Sequence, residues 1–276
     1  MSIKSNIPSL SAQRSLNKSQ TSLQSSLSKL SSGLRVRSAA DDAAGLAISQ
    51  KMGAHIKSIG QAERNANDGI SAIQTADGAL NEVHGIMDRL RELSVQSSNG
   101  TYTNADRKFL NDEFSALKGE IDRIVKVTEF NGTKLLDGST TNMSFQVGIN
   151  KSTNDTIKVS LASMGTSNLG GATKVSALSV STVTKAQSAI AMIDDAIGDI
   201  STQRSKLGAV SNRLNVAVSN LGSYRENLSA ANSQIRDVDI AQETANMTRN
   251  NILMQAGVSV LAQANQMPSI ALGLIG

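Results

Sequence analysis

Cysteine and tryptophan are absent from this 276-residue chain, proline and histidine occur twice each, and aromatic residues make up 2% of it. Without cysteine there is no disulfide framework, no thiol nucleophile and no thiolate metal site. With so few Phe and Tyr there is no ordinary thick core, because aromatic side chains normally supply much of the buried area. The Leu, Ile, Val and Ala that remain suit thin helical seams. Two prolines leave few helix breakers. Residues 1–40 hold no continuous apolar run of the signal-peptide kind, and no window is apolar enough to span a bilayer. Export, if it occurs, is therefore expected to use a route that reads no cleaved signal, and no membrane partner is expected.

Basic and acidic residues nearly balance, 27 against 23, but they are unevenly placed. Lys4, Arg14, Lys18, Lys29, Arg35 and Arg37 fall in the first 40 residues with no acid among them, and no charged side chain follows Arg249. Six charges spread over that arm, with two Tyr and four Phe in the whole chain, make a poor electrostatic or stacking platform for nucleic acid. No nucleic-acid partner is expected.

Catalytic and metal-binding patterns are also missing. His55 and His84 stand in no His-x-x-x-His arrangement, so no zinc site is read there. The adjacent carboxylates Asp41-Asp42 and Asp194-Asp195 point to different faces of a helix and read as helix-end charge or capping. There is no glycine-rich phosphate loop. The chain is read as a non-enzyme without catalytic residues, cofactor or metal.

What is present is helical periodicity. Leu23, Leu27, Leu30 and Leu34 recur at 4, 3, 4, a narrow seam. Ser31-Ser32-Gly33 and the stretch from Ser38 to Gly45 interrupt it. One long helix follows from about Leu46 to Ser98, with Ile70, Ile73, Leu80 and Met87 on one stripe and Val83, Ile86, Leu90 and Leu93 beside it. Thr103 or Asn104 caps the next helix, with Asp106 in its first turn, and Leu110, Phe114, Leu117, Ile121 and Ile124 form its seam. In the C-terminal half, positions 190, 193, 197, 200, 204, 207, 211, 214, 218, 221, 225 and 228 keep 3-4 spacing and nine are apolar. A last helix is expected to run to about Gln266, before Pro268, with Leu253, Ala256 and Val260 aligned.

The middle changes period. Asn131-Gly132 and Asp137-Gly138 signal turns. Met143, Phe145, Val147 and Ile149, then Ile157, Val159 and Leu161, alternate with polar residues and predict a β-hairpin. Residues 163–182, rich in Gly, Ser and Thr, read as a surface loop or short irregular region. The expected fold is mainly α: a long antiparallel helical bundle or coiled-coil rod, with paired N- and C-terminal helices and a small β-hairpin region, about residues 130–180, at the far end.

Several ordered motifs resemble those of bacterial flagellins. They are Leu30-Ser31-Ser32-Gly33-Leu34-Arg35 with Ala39-Ala40-Asp41-Asp42-Ala43-Ala44-Gly45, Arg64-Asn65-Ala66-Asn67-Asp68-Gly69-Ile70-Ser71, and Arg91-Glu92-Leu93-Ser94-Val95-Gln96. Phe130-Asn131-Gly132-Thr133-Lys134-Leu135-Leu136, Phe145-Gln146-Val147-Gly148, Gln255-Ala256-Gly257 and the run from Ser259 to Gln266 continue the series. The resemblance covers about residues 1–161 and 180–276. It implies a subunit that self-assembles into the flagellar filament for swimming motility, with a hook–filament junction protein of the same family as the alternative. The resemblance further implies a short form that lacks the large variable outer domains.

On that resemblance, residues 1–45 and 230–276 are the inner-tube part and residues 46–229 the outer-tube bundle. Leu23, Leu27, Leu30, Leu34, Leu253, Val260 and Leu261 are the expected subunit-assembly seams. The resemblance also implies a secreted protein exported by the flagellar type III apparatus, with hook-associated junction and cap proteins and an export chaperone as partners. Arg89, Leu93 and Glu113 match the motif read by Toll-like receptor 5 in animal hosts, and are expected in a receptor or subunit contact. The weak helix-forming composition of residues 1–40 and about 230–276 predicts that both ends order on polymerisation.

Overall fold

The structure, a computed structural model, describes residues 5–273, with side chains to residue 267. Lys4 of the basic arm and residues 274–276 of the uncharged tail lie outside the described residues. The fold is mainly α. In order the elements are α1 (Ile7–Ser32), α2 (Ala43–Ser98), α3 (Asn104–Val127), β1 (Glu129–Phe130), β2 (Thr133–Lys134), β3 (Asn142–Gln146), β4 (Thr156–Ser160), α4 (Val183–Arg236) and α5 (Ile240–Gly273). At 1.5 Å per residue, the 56 residues of α2 extend about 84 Å. The described chain divides into two compact units, Met1–Ile56 with Glu226–Gly276, and Lys57–Arg225. Their boundaries fall inside α2 and α4, whereas the sequence reading draws them at 45/46 and 229/230.

The second unit is built on heptad stripes. On α2, Ile59, Ala62, Ala66, Ile73, Ala76, Leu80, Val83, Met87 and Leu90 are buried at 3-4 spacing, a seam in which each residue fits between those of a neighbour. Phe114, Ile121 and Val125 of α3 join it. On α4 the expected positions Ile193, Ile200, Leu207 and Leu214 are buried, but their companions differ from the expectation. Ala186, Ala189, Ala196 and Gln203 are buried, and Ile190, Ile197, Arg204 and Val218 flank the seam. Alanine leaves room for close helix approach, so a spacing weighted toward large apolar residues chooses the neighbouring column. Gln203, inside this seam, gives its amide to the Ser160 carbonyl at 2.9 Å.

The hairpin predicted within 143–161 forms, and the turn signalled at Asn131-Gly132 closes a second, shorter hairpin that was not predicted. Asn131 and Gly132 have φ of 48° and 77°, the left-handed pair that a two-residue hairpin turn requires, and they join β1 to β2. β3 pairs antiparallel with β4 in the register Met143↔Val159 and Phe145↔Ile157. The segment 163–182 is irregular, as expected, but it is not a surface loop. Met164, Leu169, Val175, Leu178 and Val180 are buried in the core. Polar ties hold it there: Asp122 accepts both the N–H and the hydroxyl of Thr166 at 2.9 Å, and Lys118 Nζ gives hydrogen bonds to the carbonyls of Ser176 and Leu178. Those anchors follow no period, so spacing did not reveal them.

In the first unit α1 and α5 pair. Gly33, with φ 69°, ends α1 in the left-handed cap conformation. The chain then forms a short antiparallel bridge, Leu34↔Asp237, in which Arg35 N–H donates to the Arg236 carbonyl at 2.7 Å. α5 does not stop before Pro268 but continues to Gly273. Pro268 has no N–H for the carbonyl four residues back. That carbonyl, of Ala264, instead accepts from Asn6 Nδ2 at 2.8 Å. The same amide's Oδ1 accepts the Ser9 N–H and caps α1. One side chain therefore begins one helix and repairs the other.

Candidate assembly surface

The α1–α5 pair covers one stripe of each helix. The inward residues are the N-cap Asn6 and, on α1, Ser9, Leu16, Leu23, Ser26 and Leu30, with Ser26 buried among them. On α5 they include Met254, Gly257, Leu261 and Ala264. A Cβ on Gly257 would lie 3.3 Å from Leu16 Cδ1, so the helices pass closely here and an added side chain would press on Leu16. Ser9 Oγ bonds Asn265 Oδ1 at 2.7 Å. The interface is narrow and mixed: leucines alternate with serines and asparagines that hydrogen-bond without the desolvation cost of a charge.

The predicted seam residues divide between the two sides of this pair. Leu23, Leu30, Leu34 and Leu261 are half-buried. Leu27, Leu253 and Val260 are 50%, 50% and 55% exposed, one column away from the pairing stripe. They are joined on the uncovered faces by Ile7, Leu10, Ile252 and Val258. These exposed aliphatics make the uncovered faces of the pair the candidate contact surface. Sequence spacing had found the large apolar residues. It missed Ser26, Gly257 and Ala264, small residues that share the pairing stripe with Leu16, Leu23, Leu30 and Leu261.

The other predicted trio is also split. Arg89 Nε and Nη2 donate to Glu113 Oε1 at 3.0 and 2.9 Å, and Nη1 donates to Glu92 at 2.9 Å. These carboxylates, Glu92 first, hold the guanidinium pKa above its ordinary value. Arg89 and Glu113 are accessible, whereas Leu93 is fully buried in the α2 seam. Ion pairs this exposed stabilise little.

The paired carboxylates hold structure. Asp41 accepts the N–H groups of Arg37 and Ser38, and those backbone bonds, Ser38 first, keep its carboxyl below the ordinary range. Asp42 accepts the Gly45 N–H at 2.9 Å where α2 begins. Asp194 takes Arg91 Nε at 2.6 Å, and that hydrogen bond lowers its pKa. His84 lies 3.8 Å from Asp88. Among the described residues no three His, Asp or Glu side chains converge as a metal set, and no helix is long and apolar enough to cross a membrane.

Comparison with known proteins adds the following. The model of the bacterial flagellin N-terminal helical region matches residues 3–141, and that of the bacterial flagellin C-terminal helical region matches residues 190–275. The chain is 48% identical to a flagellin of Halalkalibacterium halodurans over 275 residues, covering all of both chains. It is 41% identical to the flagellar filament 33 kDa core protein of Treponema phagedenis over 288 residues, again covering all of both. A solved structure described as a flagellar hook-associated protein from Vibrio parahaemolyticus superposes with a TM-score of 0.61 at 14% identity, covering 71% of this chain and 100% of that one. The last is a likeness of fold alone.

Proposed function

The chain belongs to the bacterial flagellin family, and from that premise we propose how it builds the flagellar filament, of which it is a structural subunit. Subunits join through the faces of α1 and α5 that the single chain leaves uncovered. Residues 1–45 and 230–276 form the inner layer and residues 46–229 the outer one. The observation that carries this reading is that Leu27, Leu253 and Val260 remain half exposed beside a pairing stripe that is already satisfied. A surface of one kind that meets a different surface on the next copy, in a repeat that does not close into a ring, generates a helical polymer.

Export proceeds through the flagellar type III apparatus without a cleaved signal. A chaperone covers the C-terminal segment beforehand, and junction and cap proteins meet the filament at its ends. In an animal host, Toll-like receptor 5 is met by Arg89 and Glu113, with Leu93 holding α2 in place from inside. Supporting this division of labour are the Arg89–Glu113 ion pair at the surface and the burial of Leu93.

Electron microscopy after salt-induced polymerisation tests the assembly reading. The native chain is expected to give long filaments of regular width. A chain carrying both Leu253→Asp and Val260→Asp is expected to stay dispersed, with the helix content and thermal unfolding of the Lys57–Arg225 unit retained. No filaments from the native chain, or normal filaments from the variant, would contradict the proposal.

A further inference from the structure

Two Asn-Gly dipeptides, Asn99-Gly100 and Asn131-Gly132, are exposed in the second unit. In such a pair the glycine nitrogen can attack the preceding carboxamide, because no Cβ hinders the approach. The two settings differ. Asn131 and Gly132 form a left-handed turn bracketed by the pairs Phe130↔Thr133 and Glu129↔Lys134, and a change in either torsion breaks the ladder. Asn99 stands in the bend after α2, where its Oδ1 accepts the Thr101 N–H at 3.2 Å. This Asx turn folds the carboxamide over its own main chain and draws electron density from Cγ. Among the described residues, the hydrogen bonds of the bend make no use of the Gly100 N–H.

We propose that Asn99 is a site of spontaneous covalent modification. The Gly100 nitrogen loses its proton to water or hydroxide and bonds to Asn99 Cγ; the carboxamide nitrogen leaves as ammonia, closing a succinimide ring. Water then adds to one ring carbonyl. Addition at Cγ breaks the new bond and leaves aspartate at position 99. Addition at the main-chain carbonyl breaks the original peptide bond and leaves an isoaspartyl link. The sum is amide plus water to acid plus ammonia, with nothing oxidised or reduced. The isoaspartyl form matters structurally. The Asn99 carbonyl accepts Arg107 Nη2 at 2.9 Å, and an extra main-chain carbon displaces that acceptor from a buried guanidinium.

The experiment incubates the folded chain at mildly alkaline pH and maps it with trypsin. Cleavage after Arg91, Arg107, Lys126 and Lys134 places Asn99 and Asn131 on separate peptides, and fragmentation distinguishes Asn99 from Asn104. The Asn99 peptide is expected to gain about 1 Da, and to become a substrate for isoaspartyl methyltransferase, about tenfold faster than the Asn131 peptide. In guanidinium chloride the two rates should converge. Gly100→Ala, where a Cβ meets nothing within 4 Å, should slow the gain about tenfold with helix content unchanged. Equal rates in the folded chain, faster conversion at Asn131, no conversion at Asn99, or no slowing in the Gly100→Ala chain would each overturn the proposal.

Discussion

Gly69 and Gly78 lie on the same helix and have opposite expected responses to alanine. A Cβ on Gly69 would stand 3.0 Å from the Phe145 ring and 3.2 Å from Leu214 Cδ1, so α2 accepts β3 and α4 together only without a side chain there. Gly69→Ala is expected to destabilise the chain by about 1–3 kcal/mol in urea unfolding. At Gly78 a Cβ meets nothing within 4 Å, and Gly78→Ala should stabilise by up to about 1 kcal/mol through helix propensity alone. Arg107 is a second case. It is 5% exposed and donates to the carbonyls of Ser97 and Asn99, closing the end of α2 from the start of α3. Arg107→Met leaves those acceptors without a donor, and a loss of about 1–3 kcal/mol is expected in the same assay. Neither role was legible in the sequence. A glycine in a helical pattern does not say what approaches it, and an arginine on a polar face does not say that the face is folded inward.

Element ends were more legible than element faces. The stretch from Thr103 to Asp106 carries its cap in the order of residues, and both halves of the capping box form: the Thr103 hydroxyl accepts the Asp106 N–H, and Asp106 accepts the Thr103 N–H at 2.9 Å. The Thr103 backbone bond, then its hydroxyl, hold the Asp106 carboxyl below its ordinary 3.8. A depressed carboxylate contributes stability that is complete above the unfolded pKa and is lost as pH falls through the folded value. Acidification from about pH 5 to about pH 3 should therefore lower the melting temperature more in the native chain than in Asp106→Asn, read by circular dichroism. On α4 the expected Ile193, Ile200, Leu207 and Leu214 are buried, and on α5 the expected Leu261 is half-buried, but the companions of these residues lie one column from those read. In both, the pairing stripe runs through small or polar residues, Ala189 and Gln203 on one, Gly257 and Ala264 on the other. Hydrophobic periodicity locates the largest side chains, and here several of those are not the ones the chain buries within itself.

At the scale of the molecule, that displacement separates folding from assembly. α1 pairs with α5 through a stripe that mixes leucines with small and polar residues, and in the proposed assembly the exposed aliphatics beside it meet other copies. The scarcity of aromatics fits the same division: thin seams closed by Leu, Ile, Val and Ala leave apolar surface to be shared between subunits. Because the terminal pair is covered on one side only, limited proteolysis of the free chain should cut within α1 and α5 before the Lys57–Arg225 unit, and assembly should abolish that difference.

The absence of cysteine supplies the most direct test that α1 and α5 meet neighbouring subunits. In Val260→Cys the introduced thiol is the only one in the chain, on a side chain 55% exposed in the single subunit. Maleimide labelling of free subunits and of filaments, with filament formation by the variant checked by electron microscopy, compares the same atom before and after assembly. The account predicts rapid labelling of the subunit and about tenfold or greater protection in the filament, as the neighbouring copy covers the apolar patch. Labelling of the filament as fast as of the free subunit would contradict it.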